Sequence, residues 1–436
     1  MLAWLCGALG AAAAIAACSA SDGPKGGGFG GGTAGASSLT GGGGTGGVMF
    51  TTGPGGADAG NTHCHITDPD KDMDGDGWTP AQGDCNDCDP NVNPGAVEVI
   101  AQPDADGGTP GPVDENCDGK VDNVEASCDK DLMLDDLTPR SGAKAVGICQ
   151  LASVDGTRGM PGYAWGLLDA KYTLANGNPT TAGMRVGIMT SFGPNVHPQE
   201  GDSLLVLSSG HARIEGQPGA CGKDTCTSAG PHQPPPMFPA KVPGCPGGAG
   251  TAINDDVALQ VKVRAPTNAT GFRFNFKFHS FEFPEYVCTR YNDQFVALVD
   301  PPPMGSQNGN ISFDSKSNPV SVNIAFFDVC KPQTAGMWAQ DCSPPAHCPP
   351  IPDPYCPSGP AELMGTGFEG AWHNAGGATS WLETQAPVTG GEEFTIRFAI
   401  WDTGDDALDS TVLIDGFAWI AGAGVSTGTG KVPNPK

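Results

Sequence analysis

The chain is short of positive charge. Only 22 of its 436 residues are Lys or Arg, against 48 Asp or Glu, and the formal net charge is −26. A surface this acidic repels phosphate backbones, so nucleic acid is excluded as a partner. Long apolar runs are scarce too. Beyond the first residues no stretch reaches the ~20 apolar residues of a membrane-crossing helix. Catalytic signatures are missing: the chain has no G-x-S-x-G and no H-E-x-x-H. Ser208-Ser209-Gly210-His211 sets a serine near a histidine, but a triad is recognised in space and not by such spacing. Paired C-x2-C sets and Cys/His spacings for structural zinc are absent as well. Helical periodicity is nearly absent, and 66 Gly with 40 Pro argue for many loops.

What the chain does have is a block of carboxylates between Asp68 and Glu125 whose only basic residues are Lys71 and Lys120. Like charges at this density repel unless something neutralises them. Oxygen ligands at every second position can converge on one hard cation, and glycine at the sixth position permits the turn that brings them together. Asp114, Asn116, Asp118, Gly119 and Glu125 fit the calcium-loop pattern D-x-[DN]-x-[DN]-G-x5-E. In it Lys120 offers only its carbonyl, Asp122 takes the ninth position and Glu125 closes the site. The preceding Gly107–Pro112 stretch is too rich in Gly and Pro for an incoming helix, so the loop stands without an EF-hand around it. Asp72, Asp74, Asp76 and Gly77 repeat the opening, but Gly83 occupies the twelfth position. Asp84, Asp87 or Asp89 could complete that first site from the next turn. Calcium is the expected ion. Copper is the lesser alternative, through His63 and His65 on either side of Cys64.

These residues also carry a resemblance. The run Asp72 to Thr79, then Gly83-Asp84-Cys85, Asp87, Asp89-Pro90, Pro94-Gly95-Ala96, Glu98, and Asn116-Cys117-Asp118-Gly119 with Asp122, resembles the MopE-type metal-binding repeats of secreted bacterial proteins. The segment Val99 to Pro112 interrupts the usual spacing, and Cys88 stands where the repeat does not usually have cysteine, so the disulfide partners are left open.

At the amino end an Ala-rich apolar run leads to Ile15-Ala16-Ala17-Cys18, which resembles the lipobox of bacterial lipoproteins. The resemblance implies lipidation of Cys18 and, with Ser19 in place of Asp, the outer membrane. Ordinary cleavage near Ala20 would instead give a secreted protein. The Gly-rich segment that follows cannot bury a core and reads as a flexible tether, about 35 Å in root-mean-square span. The sixteen cysteines become an even number once Cys6 and Cys18 are set aside, which suits disulfides in an oxidising compartment.

The remainder reads as strands. In Gly271–His279 the residues Phe272, Phe274, Phe276 and Phe278 fall on one face, and Arg273, Asn275, Lys277 and His279 on the other. That is the alternation of a half-buried antiparallel strand. Val257–Arg264, Val320–Phe326 and Phe394–Ile400 repeat it. Further strands are expected at Met184–Thr190, Ser203–Ser208, Gln294–Val299, Ile311–Phe313 and Thr411–Ile420. Pro-rich insertions at Gln217–Gly250 and Lys331–Pro360 each hold three cysteines, and their pairing cannot be read. The expected fold is all-β: a jelly-roll-like antiparallel β-sandwich preceded by a small calcium-loop module and a disordered Gly-rich tether. The expected order is a lipoprotein leader over 1–17, tether over 18–62, metal module over 63–127, sandwich over 128–421 and a flexible tail over 422–436.

The strings Ser280–Cys288, Tyr291–Phe295, Pro319–Asn323, Gly365–Glu369, Gly377–Leu382, Ala386–Val388, Ile400–Asp405 and Val412–Asp415 resemble the choice-of-anchor L domain of bacterial surface and secreted proteins. The resemblance implies a surface context and no particular chemistry. Glu282, Glu285, Asn292 and Asp293 cluster in one loop region, and Asp402, Asp405, Asp406 and Asp409 in another. A second cation site from Glu282, Asn292, Asp293, Asp402 and Asp405 is weighed against turn-capping carboxylates. Glu282 and Glu285 as a glycosidase pair are a third reading. Trp372, Trp381 and Trp401 read as core aromatics rather than a sugar platform. The expectation is a non-enzymatic, surface-anchored calcium-binding protein whose sandwich takes a protein or glycan ligand and which meets the membrane only through its lipid. The alternatives are a secreted hydrolase and a copper-acquisition protein.

Overall fold

The computed structural model describes residues 68–100, 111–123, 126–154, 156–160, 162–243, 252–284, 286–287, 289–323, 326–331, 356–369, 376–421 and 424–436. Cys18, the tether, His63, Cys64, His65, Glu125, Glu285 and Trp372 lie outside them, as do Cys245, Cys342 and Cys348. All described residues fall in one compact unit, Phe50–Lys436.

Three of the four alternating segments lie in long strands, Ile253–Arg264, Ala269–Ser280 and Glu393–Thr403, and ten other strands among the described residues complete the fold. In chain order they are β1 Gly166–Thr173, β2 Val186–Met189, β3 Leu204–Ser208, β4 Ile253–Arg264, β5 Ala269–Ser280, β6 Gln294–Asp300 and β7 Val320–Ser321. Then come β8 Phe327–Cys330, β9 Gly377–Thr379, β10 Leu382–Pro387, β11 Glu393–Thr403, β12 Ser410–Ala421 and β13 Gly428–Lys431. One sheet has the order β1-β4-β11-β6-β7, the other β13-β10-β5-β12-β3-β2, with β9 joining β5 to β8. The named strands pair antiparallel. The chain is therefore nearly all-β, in two antiparallel sheets.

The four phenylalanines of β5 turn inward and are fully buried. Phe274 meets Phe398 of β11 edge-on at 5.0 Å, and Phe276 meets Phe295 of β6 at 5.0 Å. Each such side chain contributes about 2 kcal/mol of burial before entropy is counted. Trp381 and Trp401 are buried in the core.

The expectation of a half-buried β5 needs correction, because its other face is covered as well. Lys277 and His279 are both fully buried. Lys277 Nζ bonds Glu362 and the Thr379 carbonyl, and the His279 ring lies between Phe192 at 5.0 Å and Phe368 at 5.3 Å. A second apolar cluster with Leu204, Val206, Trp381 and Leu413 roofs this side. The reason is tertiary. Segments remote in sequence return over the sheet, and alternation in β5 cannot report them.

Other expectations shift. Val320–Phe326 yields only the two-residue β7 before β8 begins, and Ile311–Phe313 forms no strand, only the isolated bridge of Phe313 to Pro319. The tail expected to be flexible carries β13, whose Gly428–Lys431 pair with Gln385–Leu382 and complete the edge beyond β10. Among the described residues the single α-helix, α1 Pro139–Val146, has Thr138 as N-cap, its Oγ1 accepting Ser141 N at 3.1 Å, and ends at Gly147 with φ 104°. Disulfides join Cys85 to Cys117, Cys128 to Cys149, Cys221 to Cys226 and Cys330 to Cys356. Cys88 is also disulfide-bonded. Among the described residues no helix is long and apolar enough to cross a membrane.

Candidate metal centre

The acidic module is built from tight turns. Asp72 accepts Gly75 N at 2.7 Å through Oδ1 and Gly77 N at 3.0 Å through Oδ2. Gly75 and Gly77 have φ of 83° and 94°, left-handed values that favour glycine. Asp76 Oδ1 accepts Trp78 N, Asp84 Oδ1 accepts Asn86 N, and Asp87 Oδ1 reaches back to Met73 N at 2.8 Å. The turns bring together two groups of three carboxylates, Asp72, Asp74 and Asp87 in one, and Asp74, Asp76 and Asp84 in the other. Within each group the ligand atoms lie within 4.8 Å of one another. Asp74 belongs to both. Asp89 belongs to neither, its Oδ1 accepting both nitrogens of Asn91.

The chemistry of these groups suits a hard cation. Asp76 and Asp84 are buried, and Oδ2 of Asp74, Asp76 and Asp84 has no hydrogen-bond partner. Burial pushes Asp84 up to about 7 and Asp76 up to about 6, and the charges of neighbouring aspartates add to both. Every donor is oxygen, the set that calcium or magnesium takes.

The second half-motif curls in the same manner. Asp114 accepts Asp118 N at 3.0 Å and Gly119 N at 2.8 Å, Asn116 Oδ1 accepts Asp118 N at 2.9 Å, and Asp118 Oδ1 accepts Lys120 N at 2.8 Å. Lys120 Nζ pairs with Asp118 at 3.7 Å on the exposed side. Asp122 has φ 50°, and its Oδ1 is buried without a partner. Glu125 lies outside the described residues. Glu98, which the loop pattern did not single out as a ligand, reaches this half from upstream: its Oε1 accepts Asn116 N at 3.1 Å and its Oε2 is buried without a partner. Burial raises its pKa, and the charges of Asp114 and Asp118 push the same way. The Cys85–Cys117 bridge ties the two halves together.

The module is seated on the sandwich. Thr267 Oγ1 donates to Asn93 Oδ1 at 2.6 Å, Thr267 N donates to the Gly95 carbonyl, and Asn268 exchanges two hydrogen bonds with Val97. Trp165 Nε1 donates to the Ala96 carbonyl, and Trp78 meets Tyr163 edge-on at 5.7 Å. At Gly95 a Cβ would stand 2.8 Å from Thr267 Cγ2, so only glycine permits this approach. Between module and sandwich runs a groove of about 760 Å³, bordered by Glu98, Asn116 and Asp118 on one side and Trp165, Asp415 and Trp419 on the other.

The carboxylates of the sandwich gather at one end. Asp293 Oδ1 accepts Thr403 N at 3.1 Å and its Oδ2 accepts Ser410 Oγ at 2.6 Å. Glu282 Oε2 accepts Asp293 N at 3.4 Å. Asp402 is buried beside them, and Asp409 and Asp255 join from neighbouring segments. Burial, with mutual repulsion, holds Glu282, Asp293, Asp402 and Asp409 above the ordinary carboxylate range. Two expected members behave differently: Asn292 Oδ1 accepts Asn323 N, and Asp405 Oδ1 accepts Ala407 N in its own loop. Among the described residues, the groups of three carboxylates packed within 4.8 Å are those of the module and not of this end. A second groove, of about 370 Å³, opens nearby between Asp409, Asp224, Cys226, Phe281 and Phe368.

Comparison with known proteins gives one family. The model of the choice-of-anchor L domain matches residues 176–418, a shorter span than the 128–421 expected. No curated protein sequence matches the chain. Among solved structures, one described as TmCBM61 in complex with beta-1,4-galactotriose matches at 10% identity over 59% of this chain and 90% of its own. Its TM-score of 0.21 is too low to carry an argument about fold or ligand.

Proposed function

The chain belongs to the choice-of-anchor L domain family, and from that premise we propose a surface-presented, non-enzymatic binding protein whose acidic module takes up calcium. The observation that carries this reading is the pair of three-carboxylate groups around Asp74. Calcium neutralises them and stiffens the module against the sandwich through the Asn93–Thr267 and Val97–Asn268 contacts. The oxygen-only donor set favours calcium over copper, which prefers imidazole and sulfur. The protein reaches its surface through a lipid on Cys18 or is released by secretion, and its sandwich presents the face for a protein or glycan ligand. A hydrolase is the weaker reading, because Glu282 is 1% exposed and lines neither groove.

The test is thermal melting and limited proteolysis of the oxidised full chain in chelator and in millimolar calcium. Calcium is expected to raise Tm by several degrees and to protect residues 72–122 from cleavage. Identical melting and identical cleavage in both buffers overturn the proposal.

A further inference from the structure

Five carboxylates from separate segments meet where β5 gives way to β6 and β11 turns back to β12. Glu282, Asp293, Asp402, Asp409 and Asp255 are each no more than 3% exposed. Part of this charge is held by conventional bonds. Asp293 accepts Thr403 N and Ser410 Oγ, and Asp409 Oδ2 accepts Cys226 N at 2.9 Å. Asp255 Oδ1 accepts Arg185 Nη2 at 3.0 Å, Thr227 Oγ1 at 2.7 Å and Ala229 N at 2.8 Å. What is left over is unusual. Oδ1 of Asp409 and Oδ2 of Asp255 are buried with no partner, and the buried Asp402 carboxyl has only the Ser209 hydroxyl and the Asp293 carboxyl beside it.

A buried carboxylate without a partner costs several kcal/mol, and several within mutual reach cost more. Among the described residues no ion pair reaches Glu282, Asp293, Asp402 or Asp409, although His211, Arg213 and Lys223 line the groove that Asp409 borders. Arg185 is engaged by Asp255, and Arg290 stands near Asp405 at the outer edge. Alanine or leucine at these positions would fold more readily, so so many buried acids in one place need a cation or shared protons. The ligand atoms of the five are all oxygen.

We propose that this end of the sandwich is a second divalent-cation site of the calcium class, formed by Asp402, Asp409, Asp293 and Glu282 and independent of the module. The buried carboxyl of Asp402 and the unpartnered Oδ1 of Asp409 are its principal ligands. Binding draws the carboxylates closer than the like charges otherwise stand. It also has a structural consequence. Asp409 N donates to the Asp224 carbonyl at 2.9 Å, Leu408 N donates to Thr225 Oγ1 at 2.9 Å, and Cys226 N reaches Asp409. The ion thereby fixes the Cys221–Cys226 loop, which walls the smaller groove.

The test uses the full chain with the module silenced by Asp74→Asn and Asp114→Asn, and terbium as the probe. Trp401 is fully buried and adjoins Asp402, so its excitation should sensitise a bound lanthanide. Emission that calcium displaces, and a calcium-dependent rise in Tm, are expected from the silenced chain. Adding Asp402→Asn should weaken terbium binding at least tenfold while leaving Tm in chelator unchanged or higher, since an uncompensated charge is removed. Asp409→Asn carries the same expectation should the first variant not fold. Absence of both emission and a calcium-dependent Tm shift in the silenced chain overturns the proposal in favour of shared protons. Undiminished emission in a folded Asp402→Asn or Asp409→Asn variant overturns it equally.

Discussion

Asp74 supplies ligand atoms to both three-carboxylate groups, whereas Asp72 and Asp76 each serve one. Substituting the shared residue therefore removes more than substituting its neighbours. Asp74→Asn is expected to weaken calcium binding by about tenfold or more, on the order of 1.4 kcal/mol, by titration calorimetry. Asp89→Asn should change affinity little, because Asp89 caps the Asn91 turn. The same carboxyl groups set the pH dependence. Asp84 and Asp415 are held near 7 and Asp76 near 6, all above the ordinary 3.8, chiefly by burial. A carboxyl with a raised folded pKa keeps its proton in the folded chain after the unfolded chain has lost it. Its contribution to stability is fully present below the unfolded value and disappears as pH rises through the folded one. The metal-free protein should thus show its Tm falling between about pH 4 and pH 7. Saturating calcium should flatten or reverse that slope, because metal binding requires the deprotonated ligands. A metal-free Tm that rises over this range would contradict the assignment.

At the scale of elements, the inward row of β5 carries the core. Phe276 packs on Phe295 of the opposite sheet and pairs in register with Leu382 and Ile414 on either side. Phe276→Ala is expected to cost about 3–5 kcal/mol in urea unfolding, the range for a large buried aromatic that leaves a cavity. β4, β5 and β11 were legible because they lie where apolar residues alternate at period two; β6 and β12 were expected as strands without that alternation, and β1, eight residues long, was not expected. Short strands were less legible. Apart from one Thr each, β9 and β13 are made of Gly, Ala and Lys, residues depleted in strands, and they form because β5, β8 and β10 offer edges to pair with. The carboxylates of the first half-motif were legible individually, since Asp and Gly recur at loop spacing. Their grouping was not. Asp84 and Asp87 join from a later turn, and Glu98 reaches the second half from upstream, contacts that no local pattern encodes.

At the scale of the whole molecule the net charge of −26 opposes compaction. Salt should relieve that repulsion where the charges are exposed. Raising sodium chloride from about 0.05 M to about 0.5 M shortens the screening length from roughly 14 Å to roughly 4 Å. The metal-free Tm is therefore expected to rise by a few degrees, and the calcium-loaded Tm by less. Equal shifts in both states would mean that calcium neutralises none of the charge that drives the repulsion.

Composition and local pattern alone were enough for two properties, an acidic molecule and a β architecture, and they showed Asp and Gly recurring at loop spacing. These depend on neighbours along the chain, and neighbours along the chain are what a sequence displays. Only the folded structure decided that the module is seated on Thr267 and Asn268, that the outer face of β5 is roofed over Lys277 and His279, and that Asp402 lies buried among other acids. Each of these joins residues far apart in the chain. Their energies come from desolvation and from charges brought close in space, and neither exists until the chain has folded.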